Sequence, residues 1–253
     1  MITIALQSRL GNQMYQLATA YHLAKETQQE LSILPYGNRD YEFYPLIMDN
    51  RRVIVPKNAT VIEEPPHQPL MNLEELTKEK GDYILKGYFQ SDKYFTRQDA
   101  EELFPIPANI KEKYVKKFEN KVIISVRRGD YVILSNLFII PSVDWYVDMY
   151  HKHFEGLGVV IASDDIDWCK KAFKGKFDKI EYITEPDPTT TLFIKACCKN
   201  HIIPPSTFSW WSAYLAGTDA KVVIPSDWFG QFFKAQGYNE KDKYPDGWIQ
   251  EAL

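Results

Sequence analysis

A chain of 253 residues with 45% hydrophobic residues is long enough to bury one large core or two small ones. Its net charge of −4 and the lack of any long basic run exclude a nucleic-acid binder, so an anionic ligand would need a local basic site. Three cysteines, two of them adjacent (Cys197, Cys198) and none in CxxC spacing, read as reduced thiols of a cytosolic protein rather than a disulfide framework or zinc site.

The N-terminal run MITIALQSRLGNQ is broken by Gln7 and Arg9, so it reads as a core strand over Ile2–Leu6 and not as a signal peptide. No apolar run approaches the roughly 18 residues of a membrane helix. SRLGN is a turn. Residues Asn12–Thr27 carry Met14, Leu17, Ala18, Tyr21 and Leu23 at helical spacing, with Asn12 as the expected N-cap. A short strand follows over Leu31–Leu34. Strand, tight turn, helix, strand is the opening of a parallel α/β unit.

Residues Pro35–Pro69, rich in Pro, Asn and Asp, read as loops and short strands. DYILKGY (Asp82–Tyr88) predicts a strand, followed by a turn and helix around Asp92–Leu103. FPIPANI (Phe104–Ile110) reads as a link between two halves, dividing the chain into 1–110 and 111–253. The second half alternates strand and helix. Strands are expected at Val122–Val126, Gly158–Ala162, Lys179–Ile183, His201–Ile203 and Lys221–Ile224. Helices are expected at Ser142–Phe154, Ile166–Phe173, Thr189–Cys198 and Phe208–Ala216. The predicted fold is α/β, with mostly parallel sheets wrapped by helices.

In such sheets ligands sit at the carboxyl ends of strands, and four marked segments fall there. In SRLGNQMYQ (Ser8–Gln16), Gly11 allows a close ligand approach and the helix near Asn12 aims free N–H groups outward; a plain strand–helix turn is an equal reading. In RRGDY (Arg127–Tyr131), two guanidinium forks match phosphate oxygens directly after the apolar strand VIISV. There Asp130 either holds an arginine or faces substrate. In ASDDIDWCK (Ala162–Lys170), one of Asp164 and Asp165 caps the next helix and the other is functional, toward ribose, base or a metal. In PPSTFSWWSAYLAG (Pro204–Gly217), Ser206, Thr207 and Ser209 gather at a helix start, a second anion site, while Trp210, Trp211 and Tyr214 read as packing. Neither GxxxxGK[ST] nor GxGxxG is present, which removes the P-loop kinase and the dinucleotide enzyme. A nucleotide sugar held between two halves fits what is left.

The sequence resembles the α-1,2-fucosyltransferases of glycosyltransferase family 11. The resemblance rests on RLGNQMYQLATAYHLA (Arg9–Ala24), GYFQSDKYF (Gly87–Phe95), VRRGDY (Val126–Tyr131), SDDIDWCK (Ser163–Lys170), STFSWWSAYL (Ser206–Leu215) and VIPSDWF (Val223–Phe229), in family order. It implies a GT-B-like fold of two Rossmann-like halves. The first half would serve the acceptor and the second would bind the nucleotide sugar. The implied donor is GDP-L-fucose, with inversion, no metal or other cofactor, and an α-1,2 link to a galactoside-type oligosaccharide acceptor. Arg127 and Arg128 match the paired arginines that neutralise the diphosphate, and with Asp130 they form the expected catalytic group. Gly11, Asn12, Ser125, Asp164, Asp165, Ser206, Thr207 and Ser209 are the expected donor-binding residues.

Three positions depart from the family. Ser125 stands where the family usually carries His, Pro204–Pro205 replace the usual Asn-Ser pair, and Ser212 replaces Gly in WWG. The change at 125 leaves two alternatives open: a related transferase using a different nucleotide sugar, and a non-catalytic carbohydrate-binding protein on the same fold. A cytosolic enzyme of polysaccharide synthesis is the expectation, with peripheral membrane contact where its acceptor is a lipid-linked glycan.

Overall fold

The computed structural model describes residues 1–35, 47, 54, 56–65, 70–238 and 240–253. Most of the 35–69 stretch expected as loops and short strands therefore lies outside the described residues. The chain divides into two compact units, Met1–Pro105 with Lys241–Pro245, and Ile106–Glu240 with Asp246–Leu253. Sequence reading placed that divide at 110. No described helix is long and apolar enough to cross a membrane.

In the first unit, β1 (Ile2–Leu6), β2 (Leu31–Pro35), β3 (Thr60–Glu63) and β4 (Tyr83–Lys86) form a parallel sheet in the order β2-β1-β4-β3. Every residue of β1 is buried, as expected of a central parallel strand covered on both faces. Helix α1 (Leu10–Glu26) follows β1, and a short helix α2 (Leu73–Leu76) precedes β4. The turn and helix expected around Asp92–Leu103 are a 3₁₀ turn at Asp92–Tyr94 and the helix α3 (Arg97–Leu103). Thr96 causes the break between them. It caps α3 in a full capping box with Asp99, which requires extended backbone at Thr96.

Asp99 also joins α3 to α1. Its carboxylate takes Thr96 N–H at 3.0 Å, His22 Nδ1 at 2.8 Å and Lys25 Nζ at 3.0 Å. His22 meets this carboxylate from a partly exposed position, with 18% of its side chain accessible.

The second unit holds a parallel sheet of six strands: β5 (Lys121–Val126), β6 (Gly158–Ser163), β7 (Ile180–Ile183), β8 (Asn200–Ile202), β9 (Lys221–Pro225) and β10 (Ile249–Glu251). Their order is β10-β9-β8-β5-β6-β7. The chain lays three strands outward from β5, then crosses back and lays three the other way from β8. That is the doubly wound nucleotide-binding order, whose switch point lies between β5 and β8. Its helices are α4 (Ala108–Tyr114), α5 (Gly129–Ile133), α6 (Val143–His153), α7 (Ile166–Ala172), α8 (Pro188–Ala196), α9 (Thr207–Tyr214) and α10 (Gln231–Ala235).

The segment FPIPANI is not only a link: Pro107 is the N-cap of α4, and the helix begins at Ala108. Ser142 accepts Trp145 N–H at 3.0 Å and sets the start of α6. One face of the sheet is covered by a core that joins Val122, Ile124 and Val126 of β5 to Trp145, Tyr146 and Met149 of α6 and Cys169 of α7.

Burial alone would raise the Asp99 pKa, but the hydrogen bonds from Thr96, Lys25 and His22 outweigh it and lower it from 3.8 to about 2. A depressed carboxylate stabilises the fold fully above its unfolded value and loses that contribution as pH falls through the folded value. Asp99→Ala is therefore expected to cost about 2 kcal/mol or more near neutral pH. The gap between variant and native chain should narrow between about pH 4 and pH 2. Denaturant melts across that range check it, and a gap independent of pH contradicts it.

Candidate functional site

The switch point gathers the marked residues of the second unit. Strand β5 ends at Val126, and the chain turns at once into α5. Gly129 makes that turn with φ of +22°, in the region that disfavours side chains. A Cβ on it would lie 2.5 Å from Asp164 Oδ2, so glycine is required for space as well as conformation.

Asp164 stands at the tip of the neighbouring strand β6. Its Oδ2 accepts Arg127 Nη1 at 2.6 Å and its Oδ1 accepts the Arg128 backbone N–H at 2.9 Å. Arg127 also pairs with Asp130, one turn along α5. The Arg128 guanidinium carbon lies over the Trp168 ring, 3.7 Å from its centre, with Asp165 Oδ2 3.4 Å from Arg128 Nε. Asp165 caps α7 through Trp168 N–H at 3.1 Å. Of the acidic pair, Asp165 is the one that caps the helix; Asp164, expected to face ribose, base or a metal, is bonded to Arg127 and to the Arg128 backbone. Trp168 was missed by sequence reading. Its position four residues after Asp164, on the next helix, was the available signal.

On the other side of the switch point, β8 runs into Pro204, Pro205 and helix α9. Tyr131 of α5 donates to the Pro205 carbonyl at 3.1 Å and ties the two strand ends together. Ser206 occupies the N-cap position of α9 with extended backbone, yet its hydroxyl makes no cap bond to the helix. Ser206 and Ser209 are buried, and Thr207 is half-buried. Trp210, Trp211 and Tyr214 pack inward as expected. Ser125, on β5, is 1% exposed and its Oγ has no hydrogen-bond partner among the described residues. So Arg127, Arg128, Asp130, Asp164 and Asp165 are brought into direct contact, and Ser125, Ser206, Thr207 and Ser209 lie at the adjoining strand ends.

Gly11 and Asn12 belong to the first unit. Asn12 is not the N-cap of α1. That position is Arg9, because Ser8 turns the chain early with φ of +67°. Asn12 instead lies in the first turn, donating to Ser8 Oγ at 2.7 Å and accepting from Gln90 Nε2 at 2.7 Å. Gln90 Oε1 in turn takes Lys243 Nζ at 2.6 Å. A lysine only donates, so it fixes the orientation of both amides along this chain. Gln90 and Lys243 were not singled out from the sequence.

Gly129→Ala is expected to push Asp164 off Arg127 and to lower stability by about 1–2 kcal/mol. An unchanged denaturation midpoint would contradict the account of this turn.

Comparison with known proteins agrees with the geometry. Residues 1–252 match the family model for glycosyl transferase family 11. An α-1,2-colitosyltransferase of Escherichia coli is 27% identical over 288 aligned positions, covering 98% of this chain and 98% of that one. The galactoside 2-α-L-fucosyltransferase SEC1 of Bos taurus is 27% identical, covering 92% of this chain and 70% of that one. Among solved structures, the NodZ α-1,6-fucosyltransferase soaked with GDP-fucose superposes with a TM-score of 0.53 at 16% identity, over 85% of this chain and 92% of that one. The fold is thus GT-B-like α/β, and the chain belongs to glycosyltransferase family 11.

Proposed function

We propose that this transferase moves L-fucose from GDP-L-fucose to the 2-hydroxyl of a galactoside-type acceptor, with inversion at the anomeric carbon. The observation that carries this reading is the Arg127–Arg128 pair held by Asp164 at the switch point of a doubly wound sheet. As the bond from the sugar to the β-phosphate breaks, negative charge grows on that phosphate. Fixed cations there stabilise the transition state more than the ground state. The N–H groups at the start of α9 and the hydroxyls of Ser206 and Thr207 face the same task. Charge neutralisation is thereby assigned to protein groups, with no metal or other cofactor in the reaction. Asp130 is committed to Arg127, so its part is to orient that guanidinium.

A second donor has a specific observation behind it. The colitosyltransferase relative is matched over nearly its whole length. Colitose is fucose without its 3-hydroxyl, and Ser125 marks a changed contact close to the arginines. A GDP-linked deoxyhexose is common to both readings.

Arg127→Ala is expected to lower kcat/KM for GDP-fucose by about 10²-fold or more. Product analysis by NMR should show an α-1,2 linkage from the native chain. Near-normal turnover in the variant would remove Arg127 from the mechanism. A clear preference for GDP-colitose would select the second donor.

A further inference from the structure

Lys195 has no part in the site as described, yet it is among the most deeply buried polar residues of the chain. It lies near the end of α8 and is 2% exposed. No carboxylate among the described residues pairs with it. Its Nζ is 3.5 Å from Ser209 Oγ and 5.0 Å from the Phe208 ring centre. Both residues belong to the first turn of α9, whose free N–H groups already carry positive partial charge. An ammonium taken out of water beside another positive pole is unfavourable without a counter-ion.

Two further observations suit an anion at this end of the sheet. Ser125 alternates along β5 with Ile124 and Val126, which face the α6–α7 side, so it faces the opposite side of the sheet. It is buried there with an unpartnered hydroxyl. The second is a charge count. Arg127 and Arg128 are met by three carboxylates, Asp130, Asp164 and Asp165, so this cluster carries no surplus positive charge. A diphosphate binding above it needs another cation.

We propose that Lys195 is a positioning residue for donor binding: its buried Nζ holds Ser209 in the first turn of α9 and takes a proton from solvent when the donor diphosphate binds there. The proposal rests on the diphosphate reading of this site. Burial pushes the Lys195 pKa down to about 7, so the free protein holds much of it as the neutral amine just above neutral pH. A bound anion favours the ammonium and raises that value.

The groups on the surrounding elements leave the signal to Lys195. His201 of β8 is pushed down to about 3, first by burial, and stays neutral with Nε2 bonded to the Cys198 carbonyl. Burial pushes Cys197 up to about 11 and Cys198 upward as well. Helix α9 itself offers Ser209, Ser212 and Tyr214 but no carboxylate. Lys111, Glu112 and Lys113 of α4, the other helix packed on α8, are exposed.

The test is titration calorimetry of GDP into the native chain and Lys195→Met, in two buffers of different ionisation enthalpy at about pH 8. Methionine keeps the stem length without the charge. The native chain is expected to take up roughly half a proton per GDP more than the variant, and its affinity to fall several-fold between about pH 7 and pH 9 while that of the variant stays flat. Equal proton uptake in both overturns the proposal while leaving the donor site intact. No GDP binding by the native chain overturns the diphosphate reading itself. Should Lys195→Met fail to fold, a native chain that binds GDP with no proton uptake and no pH dependence overturns the proposal on its own.

Discussion

The site hangs on one carboxylate. Asp164 holds the Arg127 side chain with one oxygen and the Arg128 backbone with the other, so it joins the ends of β5 and β6 at the two residues on which the proposed reaction rests. A guanidinium at a strand end is ordinarily a flexible surface group that would lose side-chain entropy on binding. Here Asp164, Asp130 and the Trp168 ring fix both forks before any ligand arrives. Gly129 is the backbone condition for this arrangement, since any side chain would enter the space of the Asp164 oxygen. The RRGD sequence and the downstream SDD sequence are thus two halves of one structure.

Preorganisation also balances charge. Each arginine is matched by carboxylates, which keeps this strand end from being strongly positive. On the proposed reading, selectivity rests on geometry rather than on net positive charge. This is the arrangement expected where charge develops during a reaction, rather than one built to hold any anion tightly. The hydroxyl-rich start of α9, with its buried lysine behind it, completes the site from the far side of the switch point.

Much of the fold was legible because its signals are local. VIISV reads as a buried parallel strand by an apolar run that only Ser125 interrupts, and Ser142 announces α6 three residues ahead of Trp145. Alternation of strand and helix announced a mostly parallel sheet, but its doubly wound strand order is seen only in the structure. What escaped had conflicting local signals. Pro105 and Pro107 read as a link, although Pro107 caps a helix. RGDY announced no helix, although the five residues Gly129–Ile133 form α5. IQE is too short to announce the edge strand β10. Asn12 looked like a cap, but the positive φ at Ser8 moved the helix start and freed its amide for Gln90. At the site, Arg127, Arg128 and the acidic pair were visible as motifs. Gln90, Lys243 and Lys195 were not, because their roles come from burial and from partners as far as 153 residues away, which no spacing rule contains.

The most direct test of the central claim, that the arginine pair and α9 form a site for a guanosine diphosphate sugar, is a metal-free calorimetric comparison of GDP, UDP, ADP and CDP binding, with EDTA present. The account predicts selective binding of GDP, unaffected by the chelator. Preference for another nucleotide would contradict the proposed donor, and binding of none of the four would contradict a nucleotide-sugar site altogether.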